Sequence, residues 1–101
     1  MTQPIIEIVT YNLASGVSVP QFLKTAETVN RFLDQTDGFV QRHLSVDGDG
    51  VWTDHIEWQS LKQAQSASEK LMSYEPAAGF LAAIDEPSAR MSHNKLELTH
   101  K

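Results

Sequence analysis

The sequence has 101 residues, of which 41% are hydrophobic and 21% are charged, with a net charge of −5 and no cysteine. Because domains of roughly 100–150 residues are the commonest, we expect one domain over residues 1–101 with its core at about 5–98. The absence of cysteine excludes a disulfide framework, a thiolate metal site and a cysteine nucleophile. The acidic balance and the scattered basic residues argue against a nucleic-acid partner, since phosphate contacts need clustered Lys and Arg.

Two features of the sequence bear on its location. The first seven residues contain no basic region followed by an apolar run, so no secretory signal is visible. The longest apolar stretch, at residues 80–84, is too short to span a bilayer. We therefore expect a cytoplasmic protein with no membrane partner.

The N-terminal part of the sequence predicts a strand followed by an amphipathic helix. Residues 5–13 are rich in β-branched and aromatic side chains, which is typical of a strand. Ser18 and Gln21 form a capping-box pattern at the start of the helix. The apolar face of this helix then comprises Phe22, Ala26, Val29 and Leu33. We expect the helix to end at Asp37, with Gly38 in the left-handed conformation of a helix cap.

The central part predicts a β-hairpin over residues 39–47 and 51–59, which flank a Gly-Asp-Gly turn. The polarity pattern favours one register. In that register one face carries Val40, Arg42, Leu44, Val46, Trp52, Asp54, Ile56 and Trp58. The opposite face carries Phe39, Gln41, His43, His55 and Glu57. We expect helices to cover the face with Trp52 and Trp58, because it is the more apolar of the two.

The C-terminal part repeats the capping-box pattern at Ser60 and Gln63, and Glu75-Pro76 ends the predicted helix. A short helix over 76–84 and a last strand over 90–98 follow. The order β-α-β-β-α-(α)-β predicts an α+β, ferredoxin-like fold with a four-stranded antiparallel sheet and both main helices on one face. The other sheet face would remain uncovered, so we expect a symmetric homodimer to bury it.

Charged residues on the apolar face need partners. Arg42 and Asp54 lie diagonally across the predicted hairpin, so we expect an ion pair with a structural role, and a ligand contact is the alternative. His55 points to the opposite face in this register. His93, on the last strand, is therefore the better histidine partner for Asp54, and it is also a candidate general base.

His43 and His55 lie directly opposite each other, with about 5 Å between their Cβ atoms. Two imidazoles at that distance favour either a proton relay or a metal site with Glu57 as a third ligand. The preferred interpretation is a pair of interface or solvated histidines, and we predict no metal.

Several aromatic residues indicate a cleft between the sheet and the helices in which a flat ligand could stack on their rings. The alternative is that they form an ordinary hydrophobic core. They are Trp52, Trp58, Phe80 and, at the expected mouth, Tyr74.

Four segments together resemble the dimeric α+β barrel superfamily, and within it the small proteins related to antibiotic-biosynthesis monooxygenases. They are Gly38-Phe39-Val40-Gln41-Arg42, Trp52-x-Asp54-x-x-x-Trp58-x-Ser60, Glu75-Pro76 and Arg90-Met91-x-His93. The resemblance covers about residues 5–98. It implies a homodimeric barrel with one small-molecule pocket per subunit and no cofactor. The sequence departs from several enzymatic relatives at Ile56, where those relatives carry a carboxylate.

The activity that the resemblance implies is cofactor-independent oxygenation of an electron-rich aromatic compound. The expected catalytic residues are His93 or His55 as the base that deprotonates a phenol, together with Asp54. The expected substrate-binding residues are Trp52, Trp58, Arg42, Tyr74 and Phe80. Two alternatives stay open: a non-catalytic domain that binds a hydrophobic ligand or is purely structural, and a haem-binding or haem-degrading protein with His93 or His55 as axial ligand.

Overall fold

A four-stranded antiparallel sheet carries helices on one of its faces in the computed structural model, which describes residues 3–101. The elements in chain order are β1 (Ile5–Tyr11), α1 (Val19–Asp34), β2 (Phe39–Val46), β3 (Trp52–Trp58), α2 (Leu61–Met72), α3 (Ala78–Ala82) and β4 (Arg90–Lys95). The strand order is β2-β3-β1-β4. This arrangement confirms the predicted ferredoxin-like class. None of the helices within residues 3–101 has the length and apolar character needed to cross a lipid bilayer.

The first helix begins as its sequence predicts and ends earlier than expected. The Ser18 hydroxyl accepts a hydrogen bond from the Gln21 N–H at 3.3 Å, and the Gln21 side chain accepts one from the Ser18 N–H at 3.2 Å. At the other end, the N–H groups of Gln35 and Thr36 bond three residues back, which tightens the last turn and ends α1 at Asp34. Gly38, with φ +88°, therefore forms the turn into β2 and not the helix cap.

The hairpin register is confirmed over most of its length and is wrong at one end. His43 lies opposite His55 and Leu44 opposite Asp54, as predicted. A β-bulge between Phe39 and Gln41 then shifts the pairing, so that Phe39 lies opposite Trp58 in place of Val40. The Phe39 ring packs edge-on against Trp58 at 6.0 Å, while Val40 is exposed, because the bulge turns the larger apolar side chain inwards.

The core lies between the helices and the sheet face that carries Trp52 and Trp58, as expected. Phe22 of α1 is fully buried at its centre, 4.8 Å from the Trp52 ring and 5.5 Å from the Phe80 ring of α3. Along the central strand β1, alternate residues enter this core, so Ile5, Glu7 and Tyr11 are buried while Ile6 and Ile8 on the other face are half-buried.

The last strand is shorter than predicted because its partner begins late. Lys95 pairs with Ile5, the first residue of β1, so within residues 3–101 β1 offers no further strand residue to pair with those after Lys95. Leu98 is accordingly among the most exposed apolar side chains.

Candidate active site

A cavity of about 200 Å³ lies between the sheet and the helices. Its sheet side consists of Glu7, Val9, Tyr11, Asp54, Ile56 and Met91, and its helix side of Val29, Ser68, Leu71, Met72, Phe80, Leu81 and Ile84. A recess of about 30 Å³ adjoins it and reaches Trp58. Two open grooves on the protein surface are slightly larger, at about 240 and 280 Å³, but neither contains a buried carboxylate. The cavity between the sheet and the helices is therefore the candidate active site.

Glu7 and His93 form a polar pair beside this cavity. They are direct neighbours across β1 and β4, and His93 Nε2 lies 3.0 Å from Glu7 Oε1. The Glu7 side chain is 7% exposed and that of His93 is 20% exposed. Burial raises the pKa of the Glu7 carboxyl above its ordinary value, the hydrogen bond and charge of His93 oppose this rise, and the negative charge of Asp54 adds to it. A buried carboxyl with a raised pKa in a cleft is typical of a general acid or base.

Arg42 and Asp54 form the predicted ion pair. The Arg42 Nε and Nη2 atoms donate to the two Asp54 oxygens at 2.8 and 2.7 Å. Nη1 donates to the Ala26 carbonyl and to the Asn30 side chain, each at 3.0 Å. The guanidinium carbon also lies 5.6 Å from the centre of the Phe80 ring. Arg42 is thus held as a structural group, and Asp54 reaches the cavity with its charge already balanced.

Tyr11 lines the cavity at the end of β1, where it pairs with Trp52. Its ring is fixed by edge contacts to Phe22 and Phe80, at 6.0 and 6.4 Å between centroids. Within residues 3–101 its buried hydroxyl has no hydrogen-bond partner, and neither has the indole N–H of Trp58 beside the recess. Burial, and then the negative charge of Asp54, raises the pKa of the Tyr11 hydroxyl, so this group stays protonated.

The structure brings four of the predicted site residues to the cavity or next to it. Asp54 and Phe80 line the cavity, and Trp58 lines the recess. His93 approaches through its bond to Glu7. The expected partnership of His93 with Asp54 is wrong, because β1 lies between β3 and β4 and places Glu7 within reach of His93.

The other four predicted residues lie elsewhere. Trp52 is buried against Phe22, and Arg42 sits behind Asp54. Tyr74 packs against Phe32 at 5.2 Å, outside the cavity. His55 is on the opposite sheet face, where its ring centroid is 6.0 Å from that of His43.

Glu7 is not among the site residues predicted from the sequence, although it lines the cavity. The signal was present in the alternation of β1, since Ile5, Val9 and Tyr11 share a face with Glu7. A carboxylate in the middle of such a face needs a partner, just as Arg42 and Asp54 do.

The side chains do not fit a metal or a haem. Among residues 3–101 no three His, Asp or Glu side chains are grouped to hold a metal ion, and Glu57 accepts a hydrogen bond from Gln41 at 3.2 Å. Neither histidine is placed to be an axial ligand of a haem in the cavity. His55 faces away from the cavity, and His93 is engaged with Glu7. A cavity of about 200 Å³ is also small for a four-pyrrole ring.

No family model matches the sequence, and a search of curated proteins finds no match. The fold, however, is similar to solved structures over nearly the whole chain. SnoaB, a cofactor-independent oxygenase from Streptomyces nogalater, shares 12% identity with a TM-score of 0.78, covering 97% of each chain. A protein from Bordetella bronchiseptica, proposed to be an antibiotic biosynthesis monooxygenase, shares 13% identity with a TM-score of 0.80, covering 96% of this chain and 100% of its own.

The heme-degrading protein Rv3592 from Mycobacterium tuberculosis shares 16% identity with a TM-score of 0.71, covering 100% of this chain and 99% of its own. Likeness at this level of identity concerns the fold alone. It confirms, for the fold, the resemblance to antibiotic-biosynthesis monooxygenases that the sequence indicated. The activity has to be argued from the side chains in the cavity.

Proposed function

We propose that this protein is a cofactor-independent oxygenase that oxidises a small electron-rich aromatic molecule in the cavity between the sheet and the helices. The observation that carries the proposal is the buried Glu7 carboxylate at the wall of a largely apolar cavity, held by a hydrogen bond to the half-buried His93. The fold that the chain shares with SnoaB, described as a cofactor-independent oxygenase, supports the same reaction class.

The first chemical step is removal of a proton from a phenolic hydroxyl. Glu7 lines the cavity and His93 does not, so the Glu7 carboxylate accepts this proton and His93 is the positioning residue that orients Glu7. Burial raises the pKa of the Glu7 carboxyl, which makes it a stronger base than an exposed glutamate.

A phenolate whose ring carries a further electron-donating group, such as a second hydroxyl, is electron-rich enough to react with dioxygen directly. One electron passes from the ring to oxygen, and the two radicals combine in a carbon–oxygen bond. The peroxide that forms takes the proton back from Glu7, and loss of water then gives a quinone, so one oxygen atom enters the product and the other leaves as water. Side chains such as Ile56, Leu71 and Phe80 exclude bulk water from the reactive intermediate.

The test is oxygen uptake with ¹⁸O₂ over a panel of phenols of one to three rings, with the quinone analysed by mass spectrometry. We expect one ¹⁸O atom per quinone, and a loss of turnover of about 10²-fold or more in Glu7→Gln, as for removal of a general base. His43→Gln is the matched control, because His43 is exposed on the opposite sheet face.

Unlabelled quinone, or full turnover by Glu7→Gln, would contradict the proposal. Binding of a phenol without oxygen uptake would instead favour the alternative of a non-catalytic ligand-binding domain. His93→Gln separates the roles of the pair, since a positioning residue lowers turnover less than Glu7→Gln does.

The proposal includes a homodimer formed through the open sheet face. Ile6 and Ile8 lie on that face although it has no covering layer within the described chain. His55, which neighbours Ile8, has a buried Nδ1 atom without a hydrogen-bond partner in residues 3–101. A second copy would cover the isoleucines and supply that partner.

A further inference from the structure

We propose that the cavity selects neutral aromatic molecules with a single ring, and that it rejects both anionic and polycyclic ones. This inference rests on the proposed function, which gives the position of the site, and it specifies the class of substrate that the site accepts. It is carried by two properties of the same walls: the space that they enclose and the charges that they present.

The space admits one ring. An apolar cavity of ~150 Å³ holds a benzene molecule, so one of about 200 Å³ holds about eight non-hydrogen atoms, which is a ring with two small substituents. The recess towards Trp58 adds only about 30 Å³. Ile56 on the sheet and Phe80 on α3 are buried core residues, so the cavity does not widen without disturbing the packing.

The charges exclude an anion. Glu7 and Asp54 both line the cavity, and among residues 3–101 no Lys, Arg or His lines it. Arg42, which pairs with the lining residue Asp54, already donates to both oxygens of Asp54 and to the Ala26 carbonyl, and the His93 imidazole is engaged with Glu7. A carboxylate on the ligand would therefore lose its hydration, meet no positive group and be repelled by Glu7.

The entrance is apolar as well. Met72 at the end of α2 and Met91 on β4 both line the cavity and are 71% and 53% exposed, so they mark its opening to solvent. A neutral ring passes between two thioether side chains at little cost, because they are flexible and polarisable. Its hydroxyl then reaches Glu7, and the aliphatic wall of Leu71, Leu81 and Ile84 is left for a methyl or other small apolar substituent.

The experiment is a calorimetric titration with three probes: 4-methylphenol, 4-hydroxybenzoate and the three-ring compound anthrone. The first two differ mainly in a methyl group against a carboxylate, so their ratio reports on charge. We expect 4-methylphenol to bind at least about tenfold more tightly than 4-hydroxybenzoate, because the carboxylate finds no cation. Anthrone should not bind the native protein.

Two variants test whether the probes bind in the cavity and whether its volume sets the selectivity. Ser68→Leu fills the space that Ser68 lines, and should abolish binding of 4-methylphenol. Leu81→Ala enlarges the cavity by the volume of about three carbon atoms, and should permit binding of the two-ring phenol 1-naphthol, which the native cavity excludes. Leu23→Ala is the control, because Leu23 is exposed on α1 and does not line the cavity. Circular dichroism and thermal unfolding show whether each variant is folded before its binding is compared.

Comparable binding of anthrone or 4-hydroxybenzoate by the native protein would overturn the inference. So would unchanged binding of 4-methylphenol in folded Ser68→Leu, or the failure of all three probes to bind. Selective binding of 4-methylphenol without incorporation of ¹⁸O would leave the selectivity standing and contradict the oxygenase reaction alone, so the two proposals fail separately.

Discussion

Glu7 shows what the candidate site demands of a single residue. Its carboxyl lies in the central strand between Ile6 and Ile8 and is buried in a face that otherwise packs against helices. Burying a charged carboxylate costs free energy, which one hydrogen bond from His93 offsets only in part. The same burial raises the pKa of the Glu7 carboxyl, so the feature that makes Glu7 a useful base also destabilises the fold when Glu7 is ionised.

This coupling predicts a pH-dependent effect of Glu7→Gln. The folded-state pKa of Glu7 lies above the unfolded value of 4.5, so between the two the native state binds more protons, and the contribution of Glu7 to stability falls as the pH rises. Glutamine does not titrate. The free energy of unfolding of Glu7→Gln minus that of the native protein should therefore increase from below pH 4.5 to neutral pH.

Urea denaturation of both proteins across this range measures the difference, and equal m-values confirm that the two denatured states are comparable. A difference that is constant, or that decreases with rising pH, would show that Glu7 is not buried as an unfavourable charge.

The two polar pairs also show which side-chain contacts the sequence can predict. Arg42 and Asp54 belong to one hairpin, so the turn and the alternation suffice to place them diagonally. Glu7 and His93 are 86 residues apart, and their contact depends on β4 adding to the edge next to β1. That strand order is a property of the whole sheet, and the local sequence pattern around His93 does not predict it.

At the scale of elements, the helix starts were predictable and the strand ends were not. Ser18 and Ser60 cap their helices with side-chain contacts to residues three positions later, so the information is local. The bulge at Val40 arises because Phe39 gains a contact with Trp58 at the far end of the neighbouring strand β3. Such packing across strands overrides the simple alternation on which the register was based.

Gly38, in the turn between α1 and β2, lies against the first turn of α2. Substituting it should therefore lower the free energy of unfolding more than substituting a glycine in an open turn. Gly38 and Gly50 both have positive φ, +88° and +82°. A Cβ atom on Gly38 would lie 2.8 Å from the Gln63 Cβ in the first turn of α2, whereas one on Gly50 would meet nothing within 4 Å. We expect Gly50→Ala to lower the free energy of unfolding by about 1 kcal/mol, and Gly38→Ala by at least about 1 kcal/mol more.

Chemical denaturation of the two variants side by side isolates the contact with Gln63, because both share the backbone penalty. Equal losses would mean that the start of α2 shifts without cost and that the α1–β2 turn does not position this helix.

At the scale of the whole molecule, the two faces of the sheet form different surfaces. The face with Glu7 and Asp54 packs under the helices and encloses the cavity. The other face presents Ile6 and Ile8 beside polar side chains and is uncovered in the described chain. Since alternation fixes both faces at once, a change of register by one residue would destroy the candidate site and the proposed dimer surface together.

The proposed dimer predicts that a charge in the middle of the open face separates the subunits. Ile8 lies between His55 of β3 and Ser92 of β4, at the centre of that face. An aspartate there would lose its hydration against the second copy and face the same negative charge across the symmetric contact, so Ile8→Asp should be a monomer under conditions in which the native protein is a dimer. Size-exclusion chromatography with light scattering measures both masses.

Val19→Asp is the matched control, because Val19 is exposed at the start of α1 and lies far from the open face in the fold. It carries the same added charge and should remain dimeric. Because the cavity is formed by residues of one chain, folded Ile8→Asp should still bind 4-methylphenol. A native protein that is monomeric at micromolar concentration, or an Ile8→Asp variant that stays dimeric, would show that the isoleucine face is not the contact between subunits.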